Sequence, residues 1–283
     1  MKINDKDSED REIYLFQEMK QKSDEELYEV IRCGLQDEKH AATVQLTTRG
    51  GITNFQKAVE FCQSTDPSIR AEGASILGQL GTPERPFREE STPILISLLE
   101  NDANECVRGA AAAALGHLCD ESAIPFLLKS ATDHSSEVRF NTAFALGCFD
   151  NINVVSALII LSTDLDDDVR NWATFGIGTC LEFDTFEIRE ALVARLSESD
   201  PEIRGEALIG LAKRKDQRVI APLVCELSGE FHGSWCLEAS ELMSDPSLYP
   251  YLISLRDRIK GEVEDRFIAE LDDAILACSA SDI

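Results

Sequence analysis

The sequence is poor in aromatic residues and contains no long apolar run. Aromatic side chains make up 7% of its 283 residues, although 43% are hydrophobic. A core must therefore be packed mainly from Leu, Ile, Val and Ala, a composition that favours helices. No apolar run approaches the ~18 residues that a membrane span needs. The first residues also lack the apolar segment of a secretion signal. We expect a soluble, cytoplasmic protein.

Positive charge is scarce. Lysine and arginine together number 27 against 52 aspartates and glutamates, which gives a formal net charge of -25. A field of this sign repels phosphate backbones and anionic membrane surfaces, and it attracts cationic partners. The charge balance therefore argues against nucleic acid and membranes as partners and predicts a basic protein partner.

The usual motifs of catalysis and metal binding are missing as well. The four histidines are dispersed, none begins a His-Glu pair, and no phosphate loop, nucleophile elbow or zinc spacing occurs. The nine cysteines contain no C-x-x-C pair, which favours small buried thiols in a reducing compartment. We expect a monomer with no catalytic residues, no cofactor and no metal.

A thirteen-residue segment recurs along the chain, each copy with an arginine at its fifth position. The copies are DPSIRAEGASILG, NECVRGAAAAALG, SSEVRFNTAFALG, DDDVRNWATFGIG and DPEIRGEALIGLA. The arginines are separated by 38, 31, 31 and 34 residues. Extension by 31 at each end reaches worn copies at Lys39 and Trp235. A period near 31 over about seven units indicates a repeat architecture.

Each unit is predicted to contain two helices. A good N-cap residue precedes each arginine by four positions, a small residue follows by three, and Leu or Ile follows by seven. The second helices are apolar, with Pro93, Pro125, Pro222 and Pro250 in or near their first turns. Stacking such pairs buries apolar stripes that one helix alone leaves exposed. The seven extra residues of the longest interval are assigned to a projecting loop, GTPERPFREES, after Leu80.

These D-x-x-(V/I)-R-x-x-A-x-x-A-L-G units resemble HEAT-like repeat proteins of the short bacterial type first noted in phycobilisome lyases. The resemblance implies an all-α, right-handed α-solenoid of about seven two-helix repeats. It implies a single repeat domain over residues 1–283, with an N-terminal cap segment (1–23), repeats (24–260) and a closing helix (261–283). Size, acidity and worn end units also resemble a bacterial subgroup associated with Rhs toxin loci, in which an immunity protein occurs.

The resemblance also implies roles for individual residues. In this family the arginine helix lines a concave face, and the arginine forms a ladder with cap aspartates and carbonyls of a neighbouring repeat. The implied ladder residues are Arg70, Arg108, Arg139, Arg170 and Arg204. The implied concave positions of the two central units are occupied by Glu137, Phe140, Asn141, Phe144, Asp167, Asp168, Asn171, Trp172 and Phe175.

Two interpretations of these aromatic side chains remain open. They either form a partner-binding patch bordered by carboxylates, or they pack against the next helix. The function predicted most concretely is that of an immunity protein that occludes a basic toxin domain. The alternatives are a phycobilin lyase-like protein that handles a chromophore, and a generic protein-interaction scaffold.

Overall fold

The computed structural model describes residues 5–229, 233–259 and 265–279. Throughout these ranges the regular secondary structure is helical, with seventeen α-helices joined by short turns. This confirms the all-α class. The chain forms two compact units, Met1–Phe149 and Asp150–Ile283. A single repeat domain over residues 1–283 stays a prediction.

The first unit contains nine helices within its described residues. They are α1 (Asp5–Gln21), α2 (Asp24–Cys33), α3 (Gln36–Arg49), α4 (Ile52–Cys62), α5 (Pro67–Gln79), α6 (Arg88–Asn101), α7 (Glu105–Leu118), α8 (Ile124–Ser130) and α9 (Ser136–Gly147). The arginine helices α5, α7 and α9 pack side by side in one layer, and α6 packs against α8 in a second layer. Helices α4, α6 and α8 also pack against the arginine helix that follows each of them.

The second unit contains eight helices within its described residues. They are α10 (Val155–Leu161), α11 (Asp167–Phe175), α12 (Phe186–Arg195), α13 (Pro201–Lys213), α14 (Ile220–Ser228), α15 (Ser234–Met243), α16 (Tyr249–Arg258) and α17 (Asp265–Cys278). Helices α11, α13, α15 and α17 pack in sequence, and α10 packs on α12 and α14 on α16. A π-helical turn, Gly176–Cys180, extends α11.

The repeat register predicts the core correctly. The residues seven positions after the five arginines (Leu77, Leu115, Leu146, Ile177 and Leu211) are at most 1% exposed. The small residues three positions after the arginines are all buried. Helices α5 and α7 approach so closely that a Cβ on Gly78 would lie 2.6 Å from Ala114. Small side chains therefore set the spacing between stacked repeats.

The predicted helix starts are also confirmed. Asp66, Asn104, Asp166 and Asp200 each accept a hydrogen bond from a backbone N–H of the first turn. Ser135 is an N-cap by position, although its side chain makes no capping hydrogen bond. Such caps satisfy N–H groups that have no partner within the helix.

The projecting loop is shorter than predicted. Helix α6 begins at Arg88, inside the segment assigned to the loop, so that Pro93 lies within the helix instead of in its first turn. Acidic residues at the start of α6, Glu89 and Glu90, favour helix formation there because they complement the helix dipole. The turn that remains contains Arg85 in the left-handed region, with φ 46°.

Two further expectations need correction. The cysteines are not mainly buried: Cys33, Cys106, Cys148, Cys180 and Cys225 are exposed, and only three of the nine are buried. They lie near helix ends or on outward faces, where packing does not enclose them. In the last worn repeat, Cys236 and Ser240 are buried and occupy the core positions. This places Leu237 at the arginine position, two residues after the predicted Trp235.

Candidate partner-binding face

The arginines of the repeats form a ladder that fixes the arginine helices. Each Nη1 donates to the carbonyls five and six residues earlier in the chain, as Arg108 does to Asp102 and Ala103 at 3.0 and 3.3 Å. Arg70, Arg139, Arg170 and Arg204 make the same pair of bonds. The carbonyls therefore belong to the turn before the arginine's own helix, whereas the family pattern implied carbonyls of a neighbour.

A carboxylate farther along the chain completes the ladder contacts of Arg70, Arg108, Arg170 and Arg204. The Asp102 carboxylate accepts hydrogen bonds from Nε and Nη2 of Arg70 at 2.7 and 2.8 Å. The Asp133 carboxylate accepts hydrogen bonds from the same atoms of Arg108, both at 2.9 Å. Both aspartates lie two residues before an N-cap, so the cap residues themselves are not the partners. In the second unit, Glu198 and Glu226 take this role for Arg170 and Arg204.

The predicted site residues of the first unit lie on α9. Glu137 is exposed, while Phe140, Asn141 and Phe144 are half-buried. The Asn141 amide donates to the Glu137 carbonyl at 2.9 Å. The Phe144 ring meets His117 edge to face, with centroids 5.2 Å apart. Phe144 thus packs in part on α7, the preceding arginine helix, and not only on the next helix as the packing interpretation has it.

The predicted site residues of the second unit lie on α11. Asp167 and Asp168 are exposed, and Asn171, Trp172 and Phe175 are half-buried. The rings of Trp172 and Phe175 meet edge to face at 5.6 Å. Asp167 is bound to Arg170 at 2.6 Å and so belongs to the ladder. Asp168, Asn171, Trp172 and Phe175 follow the spacing of one helix face.

Helices α13 and α15 extend this face with residues that the sequence argument missed. The Asn171 amide donates to Glu202 at 3.3 Å, and Thr179 donates to Glu206 at 3.2 Å. The Trp235 ring lies on Gly205, where an added Cβ would come within 2.5 Å of the indole. The repeat register, applied to the unit of Arg204, would have found Glu202 and Glu206.

We call this surface the acidic face of the second unit. It consists of Asp168, Asn171, Trp172, Phe175, Glu202, Glu206, Trp235 and Glu238. Both tryptophans of the sequence lie on it. Among the described residues, no lysine or arginine forms an ion pair with any of its four carboxylates. The face therefore carries negative charge that the described part of the chain does not neutralise with an ion pair.

Two polar groups on the acidic face, the Glu206 carboxylate and the Asn171 side-chain carbonyl, lack full electrostatic or hydrogen-bonding compensation. Burial raises the pKa of Glu206, and the nearby Glu238 and Glu202 raise it further, against the hydrogen bond from Thr179. The Oδ1 atom of Asn171 is buried, and no partner for it occurs within the described part of the chain. The opposite amide orientation would turn Oδ1 towards the Glu202 carboxylate, so the contact with Glu202 sets the orientation. A cation beside Glu206 would favour its ionised form.

Arg214 supports the turn behind this face, and no sequence pattern indicated it. Its side chain is buried and donates to the carbonyls of Ile177, Gly178, Leu181, Phe183 and Gly210 at 2.8–3.1 Å. Burial lowers the pKa of Arg214. The guanidinium satisfies carbonyls that the π-helical turn and the following loop leave without helical partners.

The described residues give no indication of a metal site or a membrane span. No cluster of three or more His, Cys, Asp or Glu side chains suited to a metal ion occurs within them. None of the helices in these ranges combines the length and apolarity needed to cross a bilayer.

Comparison with known proteins now identifies the class. A family model described as HEAT repeats matches residues 92–178 and 155–227. Protein YibA of Escherichia coli K12 is 32% identical over 248 residues, which cover 86% of this chain and 88% of YibA. The chain belongs to the HEAT-repeat family, and within that family it is a homologue of YibA.

Solved structures agree with this assignment. The X-ray structure of E. coli YibA aligns with a TM-score of 0.75 at 30% identity and covers 99% of both chains. The complex of CpcE and CpcF of phycocyanin lyase from Nostoc sp. PCC7120 aligns with a TM-score of 0.51 at 16% identity, over 92% of this chain and 96% of that chain. The second likeness concerns the fold alone.

Proposed function

We propose that this protein is a non-catalytic binding protein whose acidic face captures a basic protein partner. The observation that carries the proposal is a group of four carboxylates beside two tryptophans on α11, α13 and α15, for which the described residues supply no ion-pairing lysine or arginine. The HEAT-repeat solenoid is consistent with a protein-interaction scaffold. The most specific form of the proposal is an immunity protein that occludes a basic toxin domain.

The chemistry of the face suits lysine and arginine side chains. A cation near Glu202, Glu206 and Glu238 would relieve their mutual repulsion. Indole rings attract cations through the negative charge on their faces, which gives Trp172 and Trp235 a second means of contact.

Each part of the face contributes differently to capture. Complementary charge speeds diffusional encounter, whereas buried aromatic anchors slow dissociation. An inhibitor of a harmful basic domain benefits from both, because it must bind quickly and release slowly. The net charge of -25 supports the same choice of partner.

The direct test is affinity capture from extracts of the native host. Three baits are compared: the wild type, the face variant E202Q/E206Q and the control E121Q/E187Q. The control removes two exposed charges that lie outside the acidic face. We expect wild type and control to retain one basic protein, identified by mass spectrometry, and the face variant to lose it. Retention should fall as salt rises, since charges are screened over ~8 Å at physiological ionic strength.

Capture of an acidic partner, or equal retention by all three baits, would contradict the proposed face. The immunity form is tested separately by expressing the captured protein alone and together with this chain. We expect growth arrest alone and rescue on co-expression. If the captured protein is harmless when expressed alone, the immunity role is contradicted, and only the role of a binding protein remains.

A further inference from the structure

Two cysteine thiols meet at the C-terminal ends of α7 and α9 in the first unit. Cys119 follows α7 in the left-handed conformation, with φ 50°, and its thiol donates to the Gly116 carbonyl at 2.9 Å. The same sulfur lies 3.5 Å from the Cys148 carbonyl, and the Cys119 and Cys148 thiols are in hydrogen-bonding contact. Cys148 is exposed and Cys119 half-buried, so solvent reaches the pair.

The inserted turn before α6 places positive charge at this pair. The Arg88 guanidinium donates to the Cys119 carbonyl, and both Arg85 and Arg88 stabilise negative charge on the Cys119 sulfur. The Nε atom of Arg85 is buried, and none of the described residues accepts its proton. The turn that makes this repeat longer than the others, together with the first residue of α6, therefore brings two guanidinium groups near Cys119.

The Cys148 thiol and the two arginines favour the thiolate of Cys119, whereas the loss of its own hydrogen bond to the Gly116 carbonyl opposes ionisation. The hydrogen bond from Cys148 lowers the pKa of Cys119, burial opposes it, and the two arginines lower it further. Cys106, on the same helix, experiences the opposite environment: burial and the neighbouring Glu137 raise its pKa. Because the thiolate is the nucleophile, the two thiols of α7 should differ in reactivity.

We propose that Cys119 and Cys148 form a reactive dithiol site that exchanges with low-molecular-weight disulfides. The Cys119 thiolate attacks one sulfur of the small disulfide, forms a mixed disulfide and releases one small thiolate. Cys148 then attacks the Cys119 sulfur and releases the second, and its proton passes to the departing thiolate. The sum is one protein dithiol and one small disulfide giving one protein disulfide and two small thiols.

The site is independent of the acidic face, which lies in the other unit, and its chemistry does not depend on a partner. Oxidation would tie the C-terminal end of α7 to that of α9, next to the half-buried Phe144. We expect this disulfide to be reduced easily, because the Cys119 thiolate that leaves on reduction is stabilised by its surroundings.

The test combines alkylation kinetics with exchange. Purified full-length protein is treated with iodoacetamide at pH 6.5, and Cys119 and Cys106 are followed by peptide mass spectrometry. We expect Cys119 to react at least about tenfold faster, since the gain in thiolate outweighs the loss in nucleophilicity. R85M/R88M should reduce that ratio while Cys106 stays unchanged. Equal rates for Cys119 and Cys106 in the wild type would overturn the proposal.

Exchange is measured with glutathione disulfide. The wild type should form a Cys119–Cys148 disulfide, C148S should stop at a glutathione adduct on Cys119, and C106S should behave as the wild type. Circular dichroism of each variant checks folding. A C119S protein that acquires the adduct on Cys148 at the wild-type rate, or a C148S protein that stays unmodified, would show that the pair does not act in this order.

Discussion

Asp133 binds Arg108 through both carboxylate oxygens, with Nε and Nη2 each at 2.9 Å. The same residue accepts Nη1 of Arg139 on its carbonyl at 2.9 Å. Its carboxylate also accepts the backbone N–H of Ser135. One aspartate thus joins two successive arginines and positions the start of α9, and Asp102 does the same for Arg70 and Arg108. Within the first unit the ladder is continuous from Arg70 to Arg139, because each of these aspartates serves two arginines.

Loss of the charge on Asp133 should destabilise the first unit. Asp133→Asn keeps the shape and one acceptor but leaves Arg108, whose side chain is 18% exposed, without its counterion. We expect a loss of ~1–3 kcal/mol in the free energy of unfolding, measured by urea denaturation. E121Q is a matched control on an exposed glutamate. An unchanged unfolding midpoint for D133N would contradict a stabilising ladder.

The ion pair of Asp133 and Arg108 also predicts how stability depends on pH. Burial raises the pKa of Asp133, but hydrogen bonds from Arg108 and Ser135 outweigh it and hold the pKa below its ordinary value. A depressed carboxylate pKa adds stability above the unfolded-state value, near pH ~4, and loses it as pH falls through the folded-state value. The difference in the free energy of unfolding between wild type and D133N should therefore become smaller as the pH falls below ~4. A difference that stays constant with pH would contradict a contribution of Asp133 ionisation to stability.

Arg214 should be among the most sensitive positions of the second unit. Arg214→Lys keeps the charge but cannot reproduce a fork that serves five carbonyls. Several buried acceptors would lose their donors, so we expect a loss of ~3 kcal/mol or more in urea denaturation. R266K, at an exposed arginine on α17, is the control with little expected effect. Equal midpoints for both variants would show that the network is dispensable.

Trp172 and Arg170 should separate binding from stability within one helix turn. Trp172→Ala is expected to weaken binding of the captured partner by ~2 kcal/mol or more in calorimetric titration, with little change in melting. Arg170→Ala removes contacts to Asp164, Leu165 and Glu198 and should cost about 1–3 kcal/mol of stability. A Trp172 variant that melts early and binds normally in its folded fraction would place the indole in the core.

Affinity for the basic partner should rise with pH through the titration of Glu206. Its pKa is raised in the free protein by burial first and then by Glu238 and Glu202. A bound cation favours the ionised form, so binding tightens as the carboxylate loses its proton and weakens as pH falls. Glu206→Gln should flatten this dependence in titrations across that range, whereas the control E187Q should keep it. The same slope in E206Q would assign the effect to another group.

The sequence by itself determined the features that repeat. The spacing of the arginines, the small residue three positions later and the Leu or Ile seven positions later are local and periodic, and a helix converts such spacing directly into a buried face. Caps such as Asp66 and Asn104 depend on the first turn alone and were predictable for the same reason. The α-helical class, the core positions and most helix starts followed from these patterns.

Only the tertiary structure decided which residues meet across repeats. The ladder partners Asp102 and Asp133 lie 25–32 residues from their arginines, a separation at which no helical period selects the neighbour. Arg214, Glu206 and the thiol pair of Cys119 and Cys148 likewise acquire their properties from burial and from charges on other helices. Side chains on variable positions carry no periodic signal, so their chemistry depends on how adjacent repeats stack.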